Sequence, residues 1–411
     1  MSNAPTRSRV CAVCGSDQKE ALFSQRFNGV GDGVLLAGYE VVACRRCGFC
    51  FADDLPEQSA FDAYYRDMSK YEDQHRGGGE SEYQRRHYRA AAELVRQLLP
   101  DLNSQILDIG CASGGQLGAL RQTGYRNVLG VDPSAVCAET ALRLHGVWVR
   151  PGSLFDLPRD IPASDLVILE SVLEHIRDLP EALGRVRGLL APGGVVYLEV
   201  PDATQFADSP DAPFQEFSIE HINYFSVASR ANLLRAHGFS PLLSIRTATE
   251  QSPGVMAHEV KAAFRKGESI PPTARTNGAR FTPDRETEKR LKAYIADSRR
   301  TENRIRRAIR DLVASGRPVI VWGAGTHTQR LLATGGLATA RIAAFADSNV
   351  KYQGRQMRGI PVVAPAELKG RAEPILISSR VFQEEIRRQA REDLGLNNEL
   401  ITLYEMGGGD D

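Results

Sequence analysis

Residues 104–120 read SQILDIGCASGGQLGAL, and the fold turns on how that run is taken. Ile106 to Ile109 make a short apolar strand, Gly110, Gly114 and Gly115 a flexible loop, and the residues after them open a helix. The pattern then repeats. NVLGVDPSA (127–135) is a strand ending at Asp132, 24 residues after Asp108. RPGSLFDLP (150–158) precedes the strand DLVILES (165–171), the helix VLEHIRDLPEALGRVRGLL (172–190), the turn APGG and the strand VVYLEV (195–200). Strands alternating with helices of this length predict an α/β domain with a parallel, doubly wound sheet. Ligands of such sheets sit at the carboxyl ends of the strands, where all these loops gather.

Charge narrows the ligand. A dinucleotide site meets a pyrophosphate with bare glycine amides at a helix N-terminus. Asp108 stands two residues before the first glycine, which is unfavourable beside a diphosphate but suits an ammonium and a sulfonium. The nucleoside with both is S-adenosylmethionine. Asp132 is placed to accept the ribose hydroxyls, with Pro133 after it and Ser153 and Leu154 beside the adenine. Gly110, Cys111 and Gly114 of the loop, and Glu170 at the end of the next strand, complete the expected cofactor contacts. The ordered signals DIG, an acid, GSLFDLP, DLVILESVLEH and PGG resemble the class I methyltransferases over about 100 residues, a Rossmann-like fold. Ala112 stands where that family often has Gly. The resemblance places Glu174 and His175 next to the methyl donor, His175 as a wall of the substrate pocket.

The rest of the chain bounds the reading. Its 411 residues suit two or three domains, and 42% hydrophobic with 25% charged residues is a globular composition. Acids and bases balance at 51 each, without the field of a general nucleic-acid binder. No apolar run reaches the ~18 residues of a membrane span, and MSNAPTRSRVCAVCG has no signal-peptide core. A cytoplasmic protein acting on a small molecule, with no nucleic acid or membrane partner, is the expectation.

Seven cysteines then need an explanation other than disulfides. Cys11 and Cys14, and Cys44 and Cys47, form two C-x-x-C-G knuckles 29 residues apart. Each knuckle aims two thiolates at one ion, and two together supply the closed tetrahedral ligand set of a structural zinc site.

After about residue 250 the pattern changes. KGESIPPTARTNGARFTPD (266–284) is rich in structure breakers, and RETEKRLKAYIADSRRTENRIRRAIRDLVASG is one long helix whose arginines alternate with acids, a solvated face. RPVIVWGAGTHTQRLLATGGL (317–337) restarts strand, glycine loop and helix, and ARIAAFADSN ends its second strand at Asp347. This loop lacks the upstream acid of the first, so a seat for phosphates and a purely structural lobe both remain open. The predicted domains are a zinc-binding β-rich domain at 1–58, a methyltransferase domain at 59–250, a helical connection at 251–315 and a Rossmann-like α/β domain at 316–411.

Four cysteines, a methyltransferase core, EFSIEHINYFS (216–226) and a C-terminal α/β lobe together resemble the bacterial sugar C-methyltransferases that act on nucleotide-linked keto-deoxysugars. The resemblance covers nearly the whole chain. It implies that His221 is the base removing a proton next to the sugar ketone, that Glu220 is its proton-network partner, and that an upstream tyrosine, Tyr71 of SKYED or else Tyr65, reaches the substrate together with Tyr224 and His175. An imidazole base suits carbon methylation, because a C–H bond must become an enolate before it can attack a sulfonium. Ser218 and Ile219 stand where that family usually has Tyr-His, and GAGTHTQ lacks its usual Pro-Ala-Lys. O- or N-methylation of a surface-polysaccharide or natural-product sugar on the same scaffold stays open. So does a non-catalytic regulator that binds S-adenosylmethionine or a nucleotide sugar, which the intact Asp108, Gly110 and Asp132 disfavour.

Overall fold

A computed structural model describes residues 6–29, 35–68, 80–208, 211–252, 255–267 and 281–404. Its centre is a seven-stranded sheet in the order Phe239–Ser252, Val255–Lys266, Leu190–Pro201, Ser164–Glu170, Gln105–Ile109, Asn127–Asp132, Val149–Pro151. Five strands run parallel, and Val255–Lys266 is antiparallel to both its neighbours. The parallel strands bury Ile106, Leu107, Val167, Ile168, Val196 and Leu198, as a sheet covered on both faces requires.

Two expectations are corrected. The central domain does not stop at 250, because Val255–Lys266 sits inside its sheet. His258, Glu259 and Lys261 break the apolar pattern that would have marked a core strand. VLEHIRDLPEALGRVRGLL is not one helix but a single turn, Leu173–His175, followed by the helix Leu179–Leu189. Pro180 has no N–H to give and fits only the first turn of a helix.

The N-terminal sheet is antiparallel, Lys19–Arg26, Gly38–Cys44 and Cys50–Asp53, and its fourth strand, Asn223–Tyr224, comes from the stretch that carries His221. The four knuckle cysteines are buried together, with Sγ atoms 3.4 Å apart for Cys11 and Cys47 and 3.5 Å for Cys14 and Cys44. The helix Glu286–Ala314 buries Leu291, Ile295, Ser298, Glu302, Ile305 and Ile309 at helical spacing and exposes Arg299, Arg300, Arg304, Arg307 and Arg310, the solvated face expected. The C-terminal lobe is a six-stranded sheet, parallel except for its edge strand Gln356–Met357. Among the described residues no helix is long and apolar enough to cross a membrane.

Candidate active site

Two acids flank the glycine loop, and one of them fixes its shape. Asp108 is buried at the end of its strand, and burial, with Glu170 and Asp132 nearby, pushes its carboxyl well above the usual range. A cation beside it would reverse that. Asp132 fixes the loop from the neighbouring strand, its Oδ2 accepting from the Ala112 amide at 2.8 Å and its Oδ1 from the Ser134 amide at 2.9 Å. Ala112 is held at φ +46°, the left-handed region, which is the reason glycine is common there. Gly114 (φ +77°) admits no side chain, since a Cβ would lie 2.8 Å from Val147 and 2.9 Å from Ala141.

The two Glu-His pairs, 46 residues apart in sequence, meet across one cleft. Asn223 makes this happen: its Nδ2 donates to the carbonyls of Leu173 at 2.8 Å and Ile176 at 2.7 Å, and its Oδ1 accepts from the buried Arg9 at 2.9 Å. The Ile222 amide adds a bond to the Glu174 carbonyl at 2.8 Å. The rings of His175 and His221 stand edge to face with centroids 5.0 Å apart. His175 Nδ1 is 3.0 Å from the Glu220 carbonyl and 3.0 Å from the Tyr65 hydroxyl. A carbonyl oxygen only accepts, so Nδ1 carries a proton, while Nε2 lies 3.9 Å from Glu174 Oε1. Tyr64 donates to Glu220 Oε1 at 3.3 Å. The departure at Ser218 has a structural use: its Oγ accepts from the amides of Glu220 at 3.3 Å and His221 at 3.0 Å, capping the turn that presents both. Ile219 is buried among aromatic rings.

The cleft has a volume of about 340 Å³ and runs from Asp108, Gly110, Cys111 and Ala112 past Glu170 and Glu174 to His175 and His221. Glu216 and Asp211 line it too, pushed up by burial to about 8 and about 6. Its other wall was not foreseen. The helix Glu82–Leu98, started by a capping box between Ser81 and Gln84, buries Ala91 and Val95 against the sheet, and one turn earlier on that face stands His87. Below it three carboxylates converge from adjacent strands. His87 Nε2 is 3.0 Å from Glu170 Oε1 and 3.2 Å from Glu199 Oε1, and Nδ1 is 3.9 Å from Glu259 Oε2. Lys261 Nζ meets Glu199 Oε2 at 3.1 Å. Burial works against the His87 charge, but Glu170 and Glu199 outweigh it and raise the imidazole; burial, with Glu199 alongside, pushes Glu259 up to about 10. The one signal in the sequence was the i, i+4 spacing of His87, Ala91 and Val95.

Comparison with known proteins fits this geometry. Residues 83–244 match a family described as a methyltransferase domain. The protein is a class I S-adenosylmethionine-dependent methyltransferase. Residues 316–402 of this methyltransferase match a second family, described as C2185-like, N-terminal. The C-methyltransferase NovU of Streptomyces niveus is 27% identical over 384 residues, 88% of this chain and 86% of that protein. An uncharacterized 37.1 kDa protein in transposon TN4556 of Streptomyces fradiae is 32% identical over 123 residues, 28% of this chain and 36% of its own length. Among solved structures, 1,6-didemethyltoxoflavin-N1-methyltransferase of Burkholderia thailandensis, with S-adenosylhomocysteine bound, is 22% identical. It covers 54% of this chain and 96% of its own at a TM-score of 0.41.

The methyltransferase cleft sorts the expected site residues. Asp108, Gly110, Cys111, Glu170, His175 and His221 line one cavity. Asp132 and Gly114 shape the loop from behind, and Tyr65 reaches the cleft through His175. Ser153 and Leu154 do not line that cavity: the Ser153 hydroxyl accepts from the amides of Phe155 and Asp156, and Leu154 is buried in the core. Tyr224 is corrected from substrate contact to core residue. It is 1% exposed, pairs with Cys50 in the N-terminal sheet, and donates to the Tyr39 hydroxyl at 3.3 Å. Tyr71 lies outside the described residues. In the C-terminal lobe Asp347 Oδ2 accepts from the Ala324 amide at 2.6 Å, the same device as Asp132 with Ala112.

Proposed function

We propose that the protein methylates carbon in a nucleotide-linked keto-deoxysugar, with His221 as the base. The observation that carries this reading is the single cleft shared by the Asp108–Ala112 loop and the His175–His221 pair. The likeness to a C-methyltransferase over 88% of the chain supports it.

S-adenosylmethionine supplies an electrophilic methyl group. Asp108 would face its cationic end, and Asp132, which holds two loop amides, would use its remaining lone pairs for the ribose hydroxyls. His221 takes the proton from the carbon next to the ketone, so that the enolate carbon forms the new bond as the sulfonium carbon–sulfur bond breaks. His175, hydrogen-bonded to the Tyr65 hydroxyl and the Glu220 carbonyl, stands edge to face with the His221 ring and fixes its side of the cleft. Incubation with methyl-labelled cofactor and a nucleotide-linked 4-keto-6-deoxysugar tests the reading: a new C–CH3 signal in the product's NMR spectrum supports it, and an O–CH3 or N–CH3 signal replaces it with the second reading. That second reading rests on Ser218, whose hydroxyl is engaged in the turn where carbon-methylating relatives usually place Tyr.

Asp132→Ala removes a carboxylate from two loop amides and from the ribose. The expected loss of cofactor affinity is on the order of 10²-fold, about 3 kcal/mol for charge-assisted hydrogen bonds. Calorimetry with the cofactor alone decides it, and unchanged affinity would remove Asp132 from the ribose.

The four-cysteine cluster is proposed to hold structural zinc. Tetrahedral Zn–S bonds of about 2.3 Å put sulfurs roughly 3.8 Å apart, and the four Sγ atoms lie within 4.8 Å of one another. Elemental analysis of the purified chain is expected to give about one zinc per chain. A folded chain without zinc would refute the assignment.

A further inference from the structure

The charge cluster under His87 is incomplete as it stands. Glu170 and Glu199 are register partners on adjacent strands, and Lys261 is the partner of Glu199 on the third strand, with Glu259 two residues away. One imidazole Nε2 stands before two carboxylates, at 3.0 and 3.2 Å, and a single N–H cannot serve both. Glu199 is 1% exposed, and its Oε1 has for a partner the same His87 Nε2 that Glu170 engages; Glu170 Oε2 is buried without a hydrogen bond. Buried carboxylate oxygens left in this way are costly unless a cation meets them.

The spacing identifies the kind of cation. An octahedral shell of N and O ligands at about 2.1 Å puts neighbouring ligand atoms roughly 3 Å apart, and His87 Nε2 stands 3.0 Å from Glu170 and 3.2 Å from Glu199. Ligand atoms of His87, Glu199 and Glu259 all lie within 4.8 Å of one another. Charge gives the valence: once His87 and Glu259 give up their protons to act as ligands, three carboxylates against Lys261 leave a deficit of two, which a divalent ion closes. Lys261 does not fill that seat, because it lies against Glu199 Oε2 while Oε1 turns to His87. Three carboxylates and one imidazole favour a hard, oxygen-preferring metal.

We propose that His87, Glu199 and Glu259, with Glu170 beside them, form a binding site for a divalent cation of the Mn²⁺ type on the wall of the cleft. His87, Glu170 and Glu259 line the cavity, so the ion keeps a position open to it and can polarise an acceptor oxygen. That catalytic use rests on the methyl-transfer reading given above; the binding of the ion does not.

Mn²⁺ titration of the purified full-length chain, followed by electron paramagnetic resonance without acceptor, tests the site. The wild type is expected to bind one ion per chain, and His87→Gln and Glu259→Gln each to weaken it by at least about tenfold, the loss of one ligand, while still binding S-adenosylmethionine. Lys261→Met removes the competing ammonium and is expected to tighten Mn²⁺, whereas damage to a merely structural cluster would loosen it. A wild type that takes up no Mn²⁺, or uptake that neither glutamine substitution weakens, overturns the site; the wild-type measurement stands even where a variant fails to fold. Methyl transfer without Mn²⁺ binding sinks this site alone, and Mn²⁺ binding without methyl transfer sinks the sugar reading alone.

Discussion

His221→Ala is expected to bind S-adenosylmethionine as the wild type does and to turn over about 10²–10⁴ times more slowly, the usual contribution of a positioned general base. The side chain can be removed without dismantling its loop. The backbone around it is held by the Ser218 cap, by Asn223 bridging Leu173 and Ile176, and by Arg9 behind Asn223. None of these bonds uses the imidazole of His221. His175→Ala is a useful contrast, because that ring bonds the Glu220 carbonyl and approaches Tyr65, so its loss disturbs the turn as well as the cleft. Calorimetry with the cofactor, followed by transfer of labelled methyl to a nucleotide-linked keto-deoxysugar, separates the two effects. Near-normal turnover in His221→Ala would take the base role from it.

The part of this site that could be read from sequence is the part built by neighbours in sequence. The Asp108–Gly114 loop is legible because strand, loop and helix follow each other within a dozen residues, and a glycine turn with an acid before it has few other uses. His221 is legible because EHINYFS is a compact motif. The Mn²⁺-type cluster is assembled from a helix and three strands that span 87 to 261, and each member looks ordinary alone. His87 falls among arginines on a polar helix, and Glu259 and Lys261 imitate the solvent face of an edge strand. Only the sheet order, which puts Val255–Lys266 inside rather than at the edge, turns those charges inward. Tyr224 erred the other way: next to a reactive motif it suggested function, yet pairing with Cys50 takes it into the N-terminal core. Chain continuity with a site is weaker evidence than the side of the strand a residue occupies.

Arg330→Met is expected to destabilise the C-terminal lobe by about 3 kcal/mol, the low end for breaking a buried ion pair, because Arg306 still reaches Glu302 Oε2 at 3.5 Å. Arg330 is 4% exposed and meets both carboxylate oxygens of Glu302 on the long helix at 2.9 Å. It also bonds Gln25 of the N-terminal sheet and lies 3.8 Å over the ring of Phe214. Three parts of the chain thus close on one guanidinium. Phe214 is itself held at φ +58°, a conformation a bulky residue adopts only when its surroundings impose it, and its ring is stacked on Phe23 with centroids 4.4 Å apart. Trp322 lies buried in the first strand of the lobe and reports its unfolding by fluorescence, so the urea midpoint of that signal is expected to fall by roughly 1.5 M for a slope near 2 kcal/mol per M. Glu302→Leu in the same chain removes the buried carboxylate, which would otherwise keep only the part-exposed Arg306, and the double variant is expected to regain most of the loss. If the double variant is instead as unstable as the sum of its parts, the ion pair is not what holds the lobe, and the stack on Phe214 is.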